Sequence, residues 1–320
     1  MLSRIAESLF WLGRFVERAE GIAISLQVQH TASLESDMYN KDGWEPILNA
    51  VGQLNAFYEI HDTPSSDNVI DYLVFSPENP NSILECITRA RENARGVRDM
   101  ISKESWEILN ITYHEMNKFN MDSVRREGPD KLFSFIRERS YLFEGVAEIT
   151  MYRGKGYHFL RAGKYIERAD QIARILDVKY HIPLPRVEDV GNPLDIYQWK
   201  TLLDSTGSYE AYLQHYNIKI VPLQIVELLI LNRNLPRSLL FCMDRVLQSI
   251  REISPSKDHF FANTAEQKVG KFYNHIAYST VEEIFYFGLH EFLTNFINDL
   301  LNIGDEINKA YFGYYNLAES

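Results

Sequence analysis

Two glutamate–arginine pairs carry the strongest chemical signal in this 320-residue chain: Glu17–Arg18, within LFWLGRFVERAEGIAISLQV (9–28), and Glu167–Arg168, within FLRAGKYIERADQIARILDV (159–178). A carboxylate raised in pKa by burial can serve as general acid or base, which makes Glu17 and Glu167 the acid–base candidates. Arginines can grip an anion with paired N–H donors. Residues adjacent in sequence diverge on a helix, so Glu17 and Arg18 cannot satisfy one another. Glu17 shares a face with Ala6, Phe10, Gly13 and Ile24, and Arg18 with Arg4, Glu7, Trp11 and Arg14. Each must reach another helix, its counterpart in the other segment included. Arg89, Arg91, Arg95, Arg237 and Arg245 are candidates to answer the two glutamates, and with Arg14, Arg18 and Arg168 they form the candidate anion- or partner-binding set. Two readings stand side by side. These are ion pairs that fix helix packing, or they line a carboxylate site, and the types alone assign no catalytic residue.

The elements that must position these groups are visible as a duplication. At an offset of 150, Gly13, Glu17, Arg18, Ala19, Ile22 and Ala23 match Gly163, Glu167, Arg168, Ala169, Ile172 and Ala173. Trp44, Leu48 and Gly52 match Trp199, Leu203 and Gly207, and Pro80, Ser82, Cys86 and Arg89 match Pro236, Ser238, Cys242 and Arg245. Three blocks in the same order predict tandem copies over 1–150 and 151–320, packed as one unit. After Ala90 and Val246 the copies align only loosely. A mid-helix glycine costs about 1 kcal/mol relative to alanine. Two equivalent ones, Gly13 and Gly163, therefore predict a close helix crossing with Glu17 and Glu167 partly buried beside it.

Nearly every segment has helical period. Ile5, Leu9, Leu12, Val16, Ala19, Ala23 and Leu26 form one stripe, and Ala162, Ile166, Ala169, Ala173 and Leu176 repeat it. Further helices are expected near 44–60, 81–102, 104–120 and 131–152, and near 193–204, 222–231, 236–253, 264–278 and 280–312. Loops are expected at 61–68, 76–80, 121–130 and 183–193, with Pro183 and Pro185 ending a long helix. The fold class is all-α, a multi-helical bundle of about ten to twelve helices.

Composition excludes several classes. A net charge of −11 without a long basic run argues against nucleic acid as a partner. No segment has the roughly 18 uninterrupted apolar residues of a membrane span. Cys86 and Cys242 read as small buried hydrophobes, which fits a cytoplasmic location. None of the nine histidines has an acid three residues before it, and no HExxH, phosphate loop or GxSxG elbow is present. Asp177 and His181 are spaced i,i+4 but are too few for a metal site. No cofactor and no metal are expected.

The chain resembles the alpha-E family of bacterial helical proteins in MLSRIAESLFWLGRFVERAE (1–20), RARENARGVRDMISKESWEILN (89–110) and FLRAGKYIERAD (159–170). By that resemblance Glu17, Arg18, Glu167 and Arg168 are the signature residues. The resemblance implies partners, an ATP-grasp-like ligase and a transglutaminase-like protease. It points to an accessory or scaffold protein, not itself catalytic, that binds a partner enzyme or a carboxylate-bearing peptide. Two alternatives remain open: an enzyme using Glu17 or Glu167 with anion-binding arginines between the copies, and a purely structural homo-oligomer.

Overall fold

The computed structural model describes residues 1–35, 43–181, 192–256 and 260–313. Two long helices form its axis: α1 (Ser3–Glu35) and α9 (Lys155–His181). The alternating stripe of α1 is buried at Leu9, Leu12, Val16, Ala19, Ala23 and Leu26, and that of α9 at Ala162, Ile166, Ala169, Ala173 and Leu176. Burial of both stripes against one another and against shorter helices supplies the main driving force.

After α1 come α2 (Glu45–Ala50), α3 (Leu54–Tyr58), α4 (Ser66–Val74), α5 (Ile83–Gly96), α6 (Lys103–Met116), α7 (Met121–Glu127) and α8 (Asp130–Thr150). After α9 come α10 (Pro193–Ser205), α11 (Tyr209–His215), α12 (Pro222–Leu231), α13 (Leu239–Ile253), α14 (Thr264–Ala277), α15 (Val281–Phe287) and α16 (Leu289–Ile307). A short π-helical segment, Asn308–Phe312, follows. Helix order thus repeats one for one: eight helices, then eight. The match continues where the sequences cease to align. Ser82 and Ser238 cap α5 and α13 through equivalent side-chain bonds. Both α7 and α15 span seven residues, open with a capping box, and end at a left-handed-region glycine, Gly128 (φ 82°) and Gly288 (φ 101°).

The architecture is all-α among the described residues, with sixteen α-helices instead of about ten to twelve. The surplus has local causes. The expected 44–60 helix is two, parted at Gly52 (φ 68°), and the expected 280–312 helix breaks at Gly288. The expected loops at 61–68 and 121–130 hold the start of α4, capped by Ser65, and all of α7. Helices of five to nine residues have too few turns to show a period. The expected loop at 183–193 and its prolines lie almost wholly outside the described residues.

Around the axis, α5 and α8 pack on α1, and α13 and α16 pack on α9 in the corresponding way. Helix α2 leans on α9, across from its own copy. No helix among the described residues is long and apolar enough to cross a membrane.

Candidate functional site: two ion-pair clusters at the α1–α9 crossing

Gly13 and Gly163 let the two backbones touch. A Cβ on Gly13 would collide with the carbonyl oxygen of Leu160, and one on Gly163 with that of Phe10. The reciprocity of these contacts is that of a twofold interface, here within one chain. Four residues on, the same symmetry crosses the charges. Arg168 Nε donates to Glu17 Oε1 at 2.5 Å and Nη2 to Oε2 at 2.7 Å. Arg18 Nε donates to Glu167 Oε1 at 2.5 Å and Nη2 to Oε2 at 2.9 Å. Each signature glutamate is therefore answered by the signature arginine of the other copy, through a bidentate fork.

The Glu17 side is closed. Lys164 pairs with Glu144 at 2.7 Å, and Glu144 stands 3.6 Å from Arg168. Arg237 reaches in from the loop before α13 to pair with the fully buried Glu20. One oxygen each of Glu17, Glu20 and Glu144 lie within 4.8 Å of one another, so three carboxylates face three cations. Burial pushes Glu17 up, but Arg168, Lys164 and Arg237 outweigh it and hold the carboxylate below its ordinary range. Glu20 goes the other way. Burial, then the Glu17 charge, push it up to about 7 against the pull of Arg237, and its Oε2 has no hydrogen-bond partner.

The Glu167 side is open. Arg14 Nε adds a second arginine to Glu167 at 2.8 Å, and Arg18 Nη1 also donates to Asn81. Burial opposes ionisation of Glu167, but Arg18 and Arg14 draw it down to about 2. Arg174 Nε donates to Asp170 at 2.8 Å, and its guanidinium lies against Gly52. A cleft of about 240 Å³ opens here, lined by Arg14, Arg18, Arg174, Gln53, Asn81 and Gln171 among others. Both Arg14 and Arg174 commit only Nε among the described residues, which leaves their terminal nitrogens as donors. Three cations face two carboxylates, a net charge of +1.

Of the other candidates, Arg237 belongs to the closed side but answers Glu20. Arg89 sits over Phe15 and 3.7 Å from Glu85. Arg91 bonds Asn110 and lies over Tyr113, Arg95 pairs with Glu92, and Arg245 lies over Phe241 and bonds Gln248. None of these four contacts Glu17 or Glu167. Cys86 and Cys242 are buried, and burial pushes both thiols up to about 12, so neither is a thiolate near neutrality. Asp177 pairs with His290 at 2.6 Å, and the His181 side chain lies outside the described residues.

Glu20, Glu144, Asn81, Asp170 and Arg174 were not singled out by sequence. A signal existed for two of them, since Glu20 and Asp170 each follow a signature glutamate by three residues.

The chain belongs to the Alpha-E family, described as a predicted alpha-helical domain with a conserved ER motif, whose profile matches residues 1–312. It is similar to uncharacterised proteins of Mycobacterium bovis and Mycobacterium tuberculosis, 22% identical over 271 residues and 79% of this chain. The chain spans about 30% of the length of these curated relatives. No solved structure matches.

Proposed function

We propose that this Alpha-E protein is a non-catalytic binding protein that holds a carboxylate-bearing ligand, a peptide or a segment of a partner enzyme, in the cleft over Arg14, Arg18 and Arg174. Its role would be accessory to an amide-forming ATP-grasp-like ligase, as the family resemblance implies. The observation that carries the binding reading is the excess cation of the open side, together with uncommitted guanidinium nitrogens facing solvent-accessible space. A guanidinium in a half-buried cleft binds carboxylate more strongly than one in open water. The amide side chains of Gln53, Asn81 and Gln171 suit a peptide backbone.

The enzymatic alternative needs a carboxyl that titrates near the working pH. Glu17 and Glu167 are held ionised by their arginines and are 1% and 2% exposed. Neither has a proton to give near neutrality, and Glu20, whose carboxyl is pushed up to about 7, is fully buried, which favours binding over acid–base chemistry.

Calorimetric titration with trialanine and with its C-terminal amide tests the binding half. Free-acid binding, weakened by roughly tenfold or more in the amide and in Arg14→Ala, is expected. Equal affinity for acid and amide, or none for either, overturns it. Affinity purification from the native cell, read by mass spectrometry, tests the accessory half. A ligase- or protease-like chain in near-equal amount is expected, and recovery of this chain alone removes that half.

A further inference from the structure

The two sides of the crossing are matched position by position, so whatever one side has and the other lacks identifies what a ligand must supply. Glu144 lies sixteen residues after Gly128, on α8, between buried Phe143 and Ala147. Gly304 lies sixteen residues after Gly288, on α16, between buried Ile303 and Ile307. The two helices flank the axis in the same way, α8 on α1 and α16 on α9. Glu144 makes its ion pairs with Lys164 and Arg168. The residues 150 positions earlier are Arg14 and Arg18, which line the cleft. Leu301, one turn before Gly304 on α16, lines it too. A Cβ built on Gly304 meets nothing within 4 Å.

Resting on the carboxylate-binding reading above, we propose that the ligand's carboxylate sits where the Glu144 carboxylate sits in the other half, beside Gly304 and against Arg14 and Arg18. The charge count selects the class. One added carboxylate brings the open side to three cations and three carboxylates, the composition of the closed side. A phosphate dianion would carry it past neutrality. The site therefore takes a singly charged carboxylate, from a peptide C-terminus or from an acidic side chain, and prefers it to phosphate. Arg14, whose lysine counterpart is spent on Glu144, is free to turn its terminal nitrogens to the guest.

The test is to install the missing group. Gly304→Glu should raise the melting temperature above that of Gly304→Gln, which adds the same bulk and helix propensity without charge. Gly304→Glu should also abolish binding of trialanine, because its own carboxylate fills the seat. Acetyl-Ala-Glu-Ala-amide distinguishes a side-chain source from a C-terminal one, and inorganic phosphate should compete at least roughly tenfold more weakly than acetate. If Gly304→Glu melts no higher than Gly304→Gln while wild type binds trialanine, the seat beside Gly304 is wrong and the cleft reading stands. If wild type binds no carboxylate, both fall. Should Gly304→Glu not fold, Glu144→Gly puts the same question from the closed side: acetate should raise its melting temperature more than it raises that of wild type. An equal rise overturns the equivalence.

Discussion

The closed and open sides of the α1–α9 crossing share a glycine, a glutamate, a bridging arginine and an acid three residues on, yet one is sealed and the other is a cleft. Three exchanges make the difference. Arg237 stands where the other side has Asn81, Glu144 where it has Gly304, and Ile24 where it has Arg174. On the closed side a long side chain enters from the α13 loop and a third carboxylate completes the balance. On the open side the short Asn81 leaves room, and the third cation comes from α9 itself. A duplicated framework can thus keep one copy of a charged crossing sealed and leave the other open as a cleft. The charge count tells them apart: three cations face three carboxylates on the closed side and two on the open side.

The largest effect should come from breaking that balance where nothing can replace the lost charge. Glu17→Gln leaves Arg168, 7% exposed, with only the more distant Glu144. Removing one partner of a buried pair costs about 3–5 kcal/mol. Denaturant unfolding of Glu17→Gln against wild type measures it. A loss below about 1 kcal/mol would mean that the crossing tolerates an unpaired guanidinium, and the contrast between sealed and open sides would lose its energetic basis.

The next effect is a pH dependence of opposite sign on the two sides. Glu20 has a folded pKa raised from 4.5 to about 7. The folded state binds its proton more tightly, so its contribution is full below about 4.5 and is lost as pH rises through 7. Glu167 is lowered from 4.5 to about 2, so its contribution is full above 4.5 and is lost as pH falls toward 2. Glu20→Gln should flatten the decline in stability between pH 5 and pH 8, where each pKa unit corresponds to about 1.4 kcal/mol. Melting curves across that range check it. An unchanged slope would show that Glu20 stays ionised in the fold and that its charge completes the balance of three carboxylates and three cations on the closed side.

A smaller effect isolates the close approach. Gly13→Ala gains helix propensity of about 1 kcal/mol but must push back the Leu160 carbonyl, an overpacking cost of about 1–3 kcal/mol. Gly163→Ala meets Phe10 in the same way. The two variants should be destabilised alike, because the glycines belong to the shared framework. A large difference between them in thermal unfolding would show that the copies bear on the crossing unequally.

How much of this was readable in advance follows from what a sequence encodes locally. The buried stripes of α1 and α9 are written in apolar period, and the repeated Gly13 and Gly163 announce a crossing. The counterpart copy was one of several partners the sequence left open for each glutamate, and nothing in it singled that one out. A helical wheel gives the direction of Glu17 but not which helix stands opposite, and the Arg18–Glu167 and Arg168–Glu17 exchange requires α1 and α9 to be each other's neighbours. Glu20 was hidden by its equivalence to Asp170, since matching by identity passes over an acid replaced by a different acid. Glu144 and Gly304 lie beyond Ala90 and Val246, where the copies no longer align in sequence and only helix order and the paired glycines restore the register.

The smallest predicted effect discriminates most finely between the two sides. Arg14 and Lys164 are equivalents, 17% and 20% exposed. Lys164 is the nearest cation to Glu144, whose carboxyl burial already pushes up, so Lys164→Leu removes a needed charge. Arg14 is the second arginine on a glutamate that keeps both bonds from Arg18. Arg14→Leu therefore removes an excess charge and should cost no more than about 1 kcal/mol, less than Lys164→Leu. If Arg14→Leu proves as destabilising as Lys164→Leu, the charge of Arg14 is consumed by the fold and is not available to a ligand, and the open side is open only in shape.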